Sequence, residues 1–163
     1  MSKGTTLLVS TPDNQREHVL GILEGLADGQ LRRPVLPSRW TCLGMVRHLT
    51  LSVERFWFRE IVAGESFDPA DPDLDADAAW RVPAEMSAEA VFGRYRAEIA
   101  RANAIITATS LDAPPATWPD DIWPTWRLHD LREIVLYVIT ETACHAGHLD
   151  ATRELIDCRL WIS

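Results

Sequence analysis

Apolar residues recur at intervals of three and four along most of the chain, the period of a helix that buries one face. The first such stripe, Val19, Ile22, Leu23 and Leu26, predicts a helix from about Asp13 to Ala27, with Pro12 and Asp13 as its start and Gly29 as its stop. A second stripe, Met45, His48, Leu49, Ser52 and Phe56, is widened by Leu43, Val46, Val53 and Trp57. It predicts a helix from Thr41 to Ala63, closed by Gly64. The third, Val91, Tyr95, Ile99, Ile105 and Ile106, predicts a helix capped by Ser87 and reaching Thr109. The fourth reads Ile134, Val138, Glu141, His145, Leu149 and Thr152. It predicts a helix from near Asp130 to about Ile156, with Asp130 and Glu133 as a capping box in which Asp replaces Ser or Thr.

The connectors carry the opposite signals. Arg32–Arg39 holds Pro34 and Pro37, and Ser110–Thr125 is rich in Pro and Trp. No alternating β-branched run competes with the helices. The pattern predicts an all-α chain, one four-helix bundle domain over 1–163, with a long loop, Glu65–Glu85, between the second and third helices. That loop holds Asp68, Asp71, Asp73, Asp75 and Asp77 among Pro69, Pro72 and Pro83. A calcium loop of the EF-hand kind needs Gly at its sixth position and Glu at its twelfth; neither is present, so the loop is read as solvated.

Composition narrows the partners. The net charge of −8 argues against nucleic acid, whose phosphates require a basic face, and disfavours an anionic membrane surface. No apolar run approaches the roughly 20 residues of a membrane span. Met1–Ser10 lacks the flank and apolar stretch of an export signal, which makes the cytoplasm the expected compartment. Cys42, Cys144 and Cys158 form no CxxC pair and read as packing residues.

The chemistry lies on the fourth stripe. Its members are spaced by four, three, four, four and three, so Glu141 and His145 fall on an otherwise apolar face. A carboxylate turned into a bundle core costs several kcal/mol without compensation, and a divalent cation supplies it. Positions i and i+4 lie about 40° apart around the helix and can converge on one ion. His48, inward on the second helix, is a third candidate ligand. The alternative is an arginine partner for Glu141 and a satisfied core histidine at 145. His148 lies three residues beyond His145, and spacing alone does not decide which of the fourth helix's residues ligate. A His, His and Glu set suits zinc, nickel or iron(II) and leaves a coordination position open. Trp40, Trp57 and Trp126 are candidates to line a pocket beside such a metal, together with Trp118 and Trp123; the alternative is that these aromatics plug the end of the bundle. His18 and His129 read as surface or cap residues.

Several segments carry a resemblance: Pro37-Ser38-Arg39-Trp40-Thr41, Val46-Arg47-His48-Leu49, Glu54-Arg55-Phe56-Trp57-Phe58, and above all Glu141-Thr142-Ala143-Cys144-His145-Ala146-Gly147-His148-Leu149-Asp150 with Arg153-Glu154-Leu155-Ile156-Asp157. In these the chain resembles the DinB-like superfamily and, within it, the mycothiol-dependent branch that includes maleylpyruvate isomerase. The resemblance implies a four-helix bundle of the DinB-like type with a divalent metal, zinc by expectation, held by His48, Glu141 and His145. Glu at position 141 is similar to the mycothiol branch, where wider relatives carry His. Glutamine often stands at the His148 position in wider relatives, which leaves His148, Asp150 and Arg153 as candidates for a supporting or alternative ligand role; an Asp150–Arg153 ion pair is the simpler reading of the last two. The isomerase has a C-terminal domain after its bundle for which this sequence offers no counterpart, so the expected activity is thiol transfer by the bundle itself. The resemblance thus implies a metal-dependent thiol S-transferase with mycothiol as cosubstrate, a small electrophile as substrate, and a homodimer. The other reading is a non-catalytic metal-binding or stress-response module of the same fold.

Overall fold

Pro12 does not begin the first helix of the computed structural model; it lies inside it. The structure describes residues 3–68, 70–74 and 78–161, with side chains from residue 6 onward. Helix α1 spans Lys3–Leu23. A proline inside a helix removes one donor. Just upstream of it, the hydroxyls of Ser10 and Thr11 both donate to the Leu7 carbonyl, at 3.2 and 2.7 Å. Val19, Ile22 and Leu23 are buried as predicted. The stop comes earlier than Gly29, at Gly25, whose φ of 81° is the left-handed region that a side chain disfavours. Leu26 is then buried from the loop, and Gly29 sits within a short helix, α2, Asp28–Leu31.

The predicted second helix is continuous but changes pitch. It starts as α3, Cys42–His48, where Thr41 Oγ1 accepts the Gly44 amide at 3.0 Å. From Leu49 to Val62 it widens into π-helix, and Gly64, at φ 69°, ends it. Bonding from i to i+5 places more residues on each turn than an α-helix does. The inward face therefore takes in Thr50, Glu54 and Arg55 beside Leu49, Val53, Trp57 and Phe58. Helix α4, Ala88–Ala108, and helix α5, Leu131–Asp157, match their predicted bounds to within a residue or two. Ser87 Oγ accepts the Ala90 amide at 3.1 Å, and Asp130 Oδ1 accepts the Glu133 amide at 2.9 Å. The returning bond of the capping box is displaced: Glu133 accepts from the His129 amide, at 2.6 Å.

Helix α5 packs most extensively on α1, and α4 on the π-helical segment, which also meets α5. The described residues are thus all-helical, with four long helices around one apolar core. None of the described helices is long and apolar enough to cross a membrane. Arg153, 3 % exposed, fastens α5 to α1. Its Nη1 donates to the carbonyls of Ile22 and Glu24, each at 2.9 Å, filling acceptors that the end of α1 leaves open. Its Nε donates to Asp157 at 2.9 Å, so the expected Asp150–Arg153 pair gives way to an i,i+4 pair further along.

The acidic loop is not simply solvated. Asp71 pairs with Arg55 at 2.8 Å, and Asp73 takes Arg47 at 2.5 Å and Arg94 at 3.3 Å. Pro69, Asp75 and Asp77 lie outside the described residues. Two short 3-10 turns, Pro72–Leu74 and Ala78–Trp80, are drawn against α3, where Arg47 Nε donates to the Ala78 carbonyl at 2.8 Å. Gly44 permits the approach, since a Cβ there would stand 2.6 Å from the Trp80 carbonyl oxygen. Gly44→Ala is expected to cost about 1–3 kcal/mol by forcing that turn outward, read as a lowered urea midpoint with an altered tryptophan emission. An unchanged midpoint and spectrum would show that the turn moves freely.

Candidate metal centre

Helix geometry sets Glu141 and His145 one turn apart on α5, and the glutamate Oε1 lies 3.2 Å from His145 Nε2. His48 reaches them from the last turn of α3, immediately before the helix widens. Its ring centroid is 4.9 Å from that of His145, with the two planes at 83°. One ligand-type atom from each of His48, Glu141 and His145 lies within 4.8 Å of the other two. Ligand atoms around a tetrahedral zinc stand about 3.4 Å apart, so the Glu141–His145 spacing already suits an ion.

The Nδ1 atoms of His48 and of His145 are buried without a hydrogen-bond partner. Unpaired buried polar atoms are costly, and a cation at the His48 nitrogen would relieve the cost there, whereas His145 would meet the ion through Nε2, the atom that faces Glu141. Burial, assisted by the neighbouring His145, pushes the His48 imidazole down to about 4. Burial also lowers His145, against the opposing pull of Glu141. Both rings are therefore neutral at pH 7, the form that can donate a lone pair to a metal. The donor set and its surroundings fit a divalent cation.

Glu141 is less enclosed than the sequence predicts: its side chain is 35 % exposed and borders a cavity. Its close partner is His145, not an arginine. The carboxylate sunk in the core is instead Glu54, 1 % exposed, gripped by Arg16 from α1 through Nε–Oε1 and Nη2–Oε2 bonds of 2.7 and 2.6 Å.

The cavity holds about 440 Å³ and opens beside the site, with His48, Glu141, Trp57, Trp123 and Tyr137 in its wall. Of the expected lining residues, Trp57 and Trp123 take that place. Trp40 and Trp126 do not. Trp40 packs on the core with its ring 6.3 Å from His148, and Trp126 stands edge-on to Trp57 at 6.2 Å, on the outer side of the aromatic cluster. Trp118, Trp123, Trp126, Trp57 and Tyr137 contact one another, so plugging and lining are done by one cluster.

The remaining candidates are dispersed. His148 is exposed, with its ring 5.7 Å from that of His145. Asp150 bonds His18 at 2.7 Å, so His18, stacked on Trp161 at 5.0 Å, is a tertiary contact and not a free surface residue. Arg153 serves the end of α1. Cys42 is buried, while Cys144 and Cys158 are exposed, against the packing role expected of all three.

Sequence reasoning missed Trp80. Its indole lies flat on His48, centroids 4.0 Å apart and planes at 14°, and fixes the orientation of that ring. It belongs to the acidic loop, where no period exists to reveal it; its signal was only a tryptophan among aspartates and alanines.

No curated protein and no solved structure matches the chain. A family model does, the one described as mycothiol-S-transferase, across residues 7–158. By that match over nearly its whole length, the chain belongs to the mycothiol-S-transferase family.

Proposed function

We propose that this chain is a divalent-metal-dependent transferase that joins a small thiol, mycothiol, to an electrophilic small molecule. The observation that carries the reading is the convergence of His48, Glu141 and His145 beside a cavity that two of them line. Family membership supports the thiol transfer, and the neutral imidazoles with unpaired nitrogens support the cation. Zinc is the proposed ion, because two imidazoles and one carboxylate are a familiar set for a zinc that keeps a position open. A divalent cation held there would keep a thiol ionised near neutral pH.

The chain's own groups do the rest. Trp80 holds the plane of His48. The wall of Trp57, Trp123 and Tyr137 receives the electrophile and limits water around the sulfur. The sulfur lone pair attacks the electrophilic carbon, and that carbon's leaving group departs with its electron pair.

The test uses purified zinc-loaded protein, mycothiol and a panel of electrophiles. Thiol-dependent turnover above the spontaneous rate is expected, falling to that rate after chelation. Zinc-loaded protein that neither binds mycothiol nor turns over any member of the panel would refute the proposal.

A further inference from the structure

A thiolate that opens an epoxide leaves a pair of electrons on an oxygen, and that oxygen needs a proton; a departing chloride needs none. The cavity wall holds few groups able to give one. Asp73 is paired with Arg47 and Arg94, while His48 and Glu141 belong to the convergent ligand set. Burial raises Glu60, with Arg55 and Arg59 opposing, but Glu60 stands at the far end of the π-helical segment from His48. Two hydroxyls remain, on Ser52 and Tyr137. The phenol is the stronger acid of the two.

Tyr137 stands one turn before Glu141 on α5, on the stripe that carries Glu141 and His145. Its ring leans on Trp57 at 4.9 Å and on Trp126 at 5.4 Å, which restrict its swing. Among the described residues no hydrogen bond engages its hydroxyl. Burial, and after it the charge of Glu141, holds the phenol above its ordinary value, so it carries its proton at neutral pH.

We infer that Tyr137 is the proton donor to the electrophile, its hydroxyl bonding the oxygen on which charge develops. The role rests on the transferase reading above. With an epoxide, the sulfur bonds to a ring carbon, and the bond from that carbon to oxygen breaks with its pair on oxygen. The Tyr137 proton moves to that oxygen. The thiol proton, lost to water as the thiol ionised, returns through water to the phenolate. Epoxides and unsaturated ketones are the electrophiles such a donor serves.

The test compares two electrophiles in zinc-loaded protein with mycothiol: styrene oxide and 1-chloro-2,4-dinitrobenzene, each rate corrected for the uncatalysed one. Tyr137→Phe is expected to lower kcat about a hundredfold with the epoxide and less than about threefold with the chloroarene. Losses that differ by less than about tenfold would overturn the inference, as would a selective epoxide loss in Ser52→Ala or Glu60→Gln in place of Tyr137→Phe. Binding gives a second readout, in protein without metal or thiol. The chain holds two tyrosines, and Tyr95 is fully buried, so tyrosine carrying a carbon-13 label at Cζ gives one responsive signal and one reference. Acetophenone, which has the acceptor oxygen and no leaving group, should shift the Tyr137 signal and bind at least about threefold more weakly to Tyr137→Phe. Ethylbenzene, which lacks the oxygen, should bind both proteins alike. An unmoved Tyr137 signal, or unchanged ketone affinity in a folded Tyr137→Phe protein, counts against the inference equally; the labelled wild type decides it if the variant does not fold. If the wild type turns over neither electrophile, the transferase reading fails and the proton transfer with it, and a ketone response would then leave Tyr137 as a binding group alone.

Discussion

Zinc binding is expected to disappear from a Glu141→Ala, His145→Ala double variant and to weaken at least about a hundredfold in His48→Ala or His145→Ala. Changes to groups that merely support a ligand cost 10–100-fold in metal affinity, so loss of a ligand itself should cost no less. The three groups come from two helices, and no pair of them closes the set: Glu141 and His145 share α5, while His48 arrives from α3. His148→Ala is the control, because that ring is exposed and outside the convergent group. It should bind zinc as the wild type does. Competition with a chromophoric chelator at pH 7.5 gives the affinities, and circular dichroism checks that the helices persist. Zinc held by the double variant at wild-type stoichiometry and affinity would remove the basis of the proposed function.

The helices were legible because their buried faces repeat. Ile134, Val138, Leu149 and Thr152 are buried as the stripe requires, and the same period brought Glu141, His145 and His48 to one place. Caps chosen for their hydrogen-bonding side chains, Ser87 and Asp130, both function as such, and Thr41, read as the first residue of its helix, is a third. What the period could not show falls into two kinds. Local exceptions won in α1, where tertiary packing carries the helix through Pro12, and in the π-helical stretch, where a changed pitch turns Glu54 and Arg55 inward. Long-range contacts were the other kind: Trp80 on His48, Trp123 on Trp57 and His18 on Asp150 join residues far apart in sequence, two of the three with a partner in a connecting segment. A buried glutamate does require a partner, but the most deeply buried one is Glu54, paired with Arg16 and turned inward by the π-helical pitch rather than by a plain 3.6-residue period.

That case makes the largest prediction for stability. Arg16, 2 % exposed, donates twice to Glu54 and through Nη1 to Asp13 at 2.8 Å and Asn103 at 2.7 Å, tying α1, the π-helical segment and α4 together. Removing Arg16 leaves Glu54 buried without a counterion, and removing Glu54 leaves Arg16 with only the half-exposed Asp13. Arg16→Met or Glu54→Leu alone should therefore cost about 3–5 kcal/mol, read from urea unfolding of metal-free protein at pH 7. The pair itself is a different quantity. Its attraction is set against the loss of two hydration shells, so Arg16→Met with Glu54→Leu should recover most of the single-variant loss, a coupling of about 2 kcal/mol or more. Asp13 is half exposed and can rehydrate, whereas Asn103 would keep only its bond to Asp13 at 3.0 Å, so recovery should fall short of complete. If either single variant costs less than about 1 kcal/mol, the ion pair does not hold the bundle's interior in the way its geometry implies. The proposed zinc ligands lie on α3 and α5, and Arg16 and Glu54 on α1 and the π-helical segment, so the double variant should also bind metal as the wild type does, separating the structural carboxylate from the chemical one.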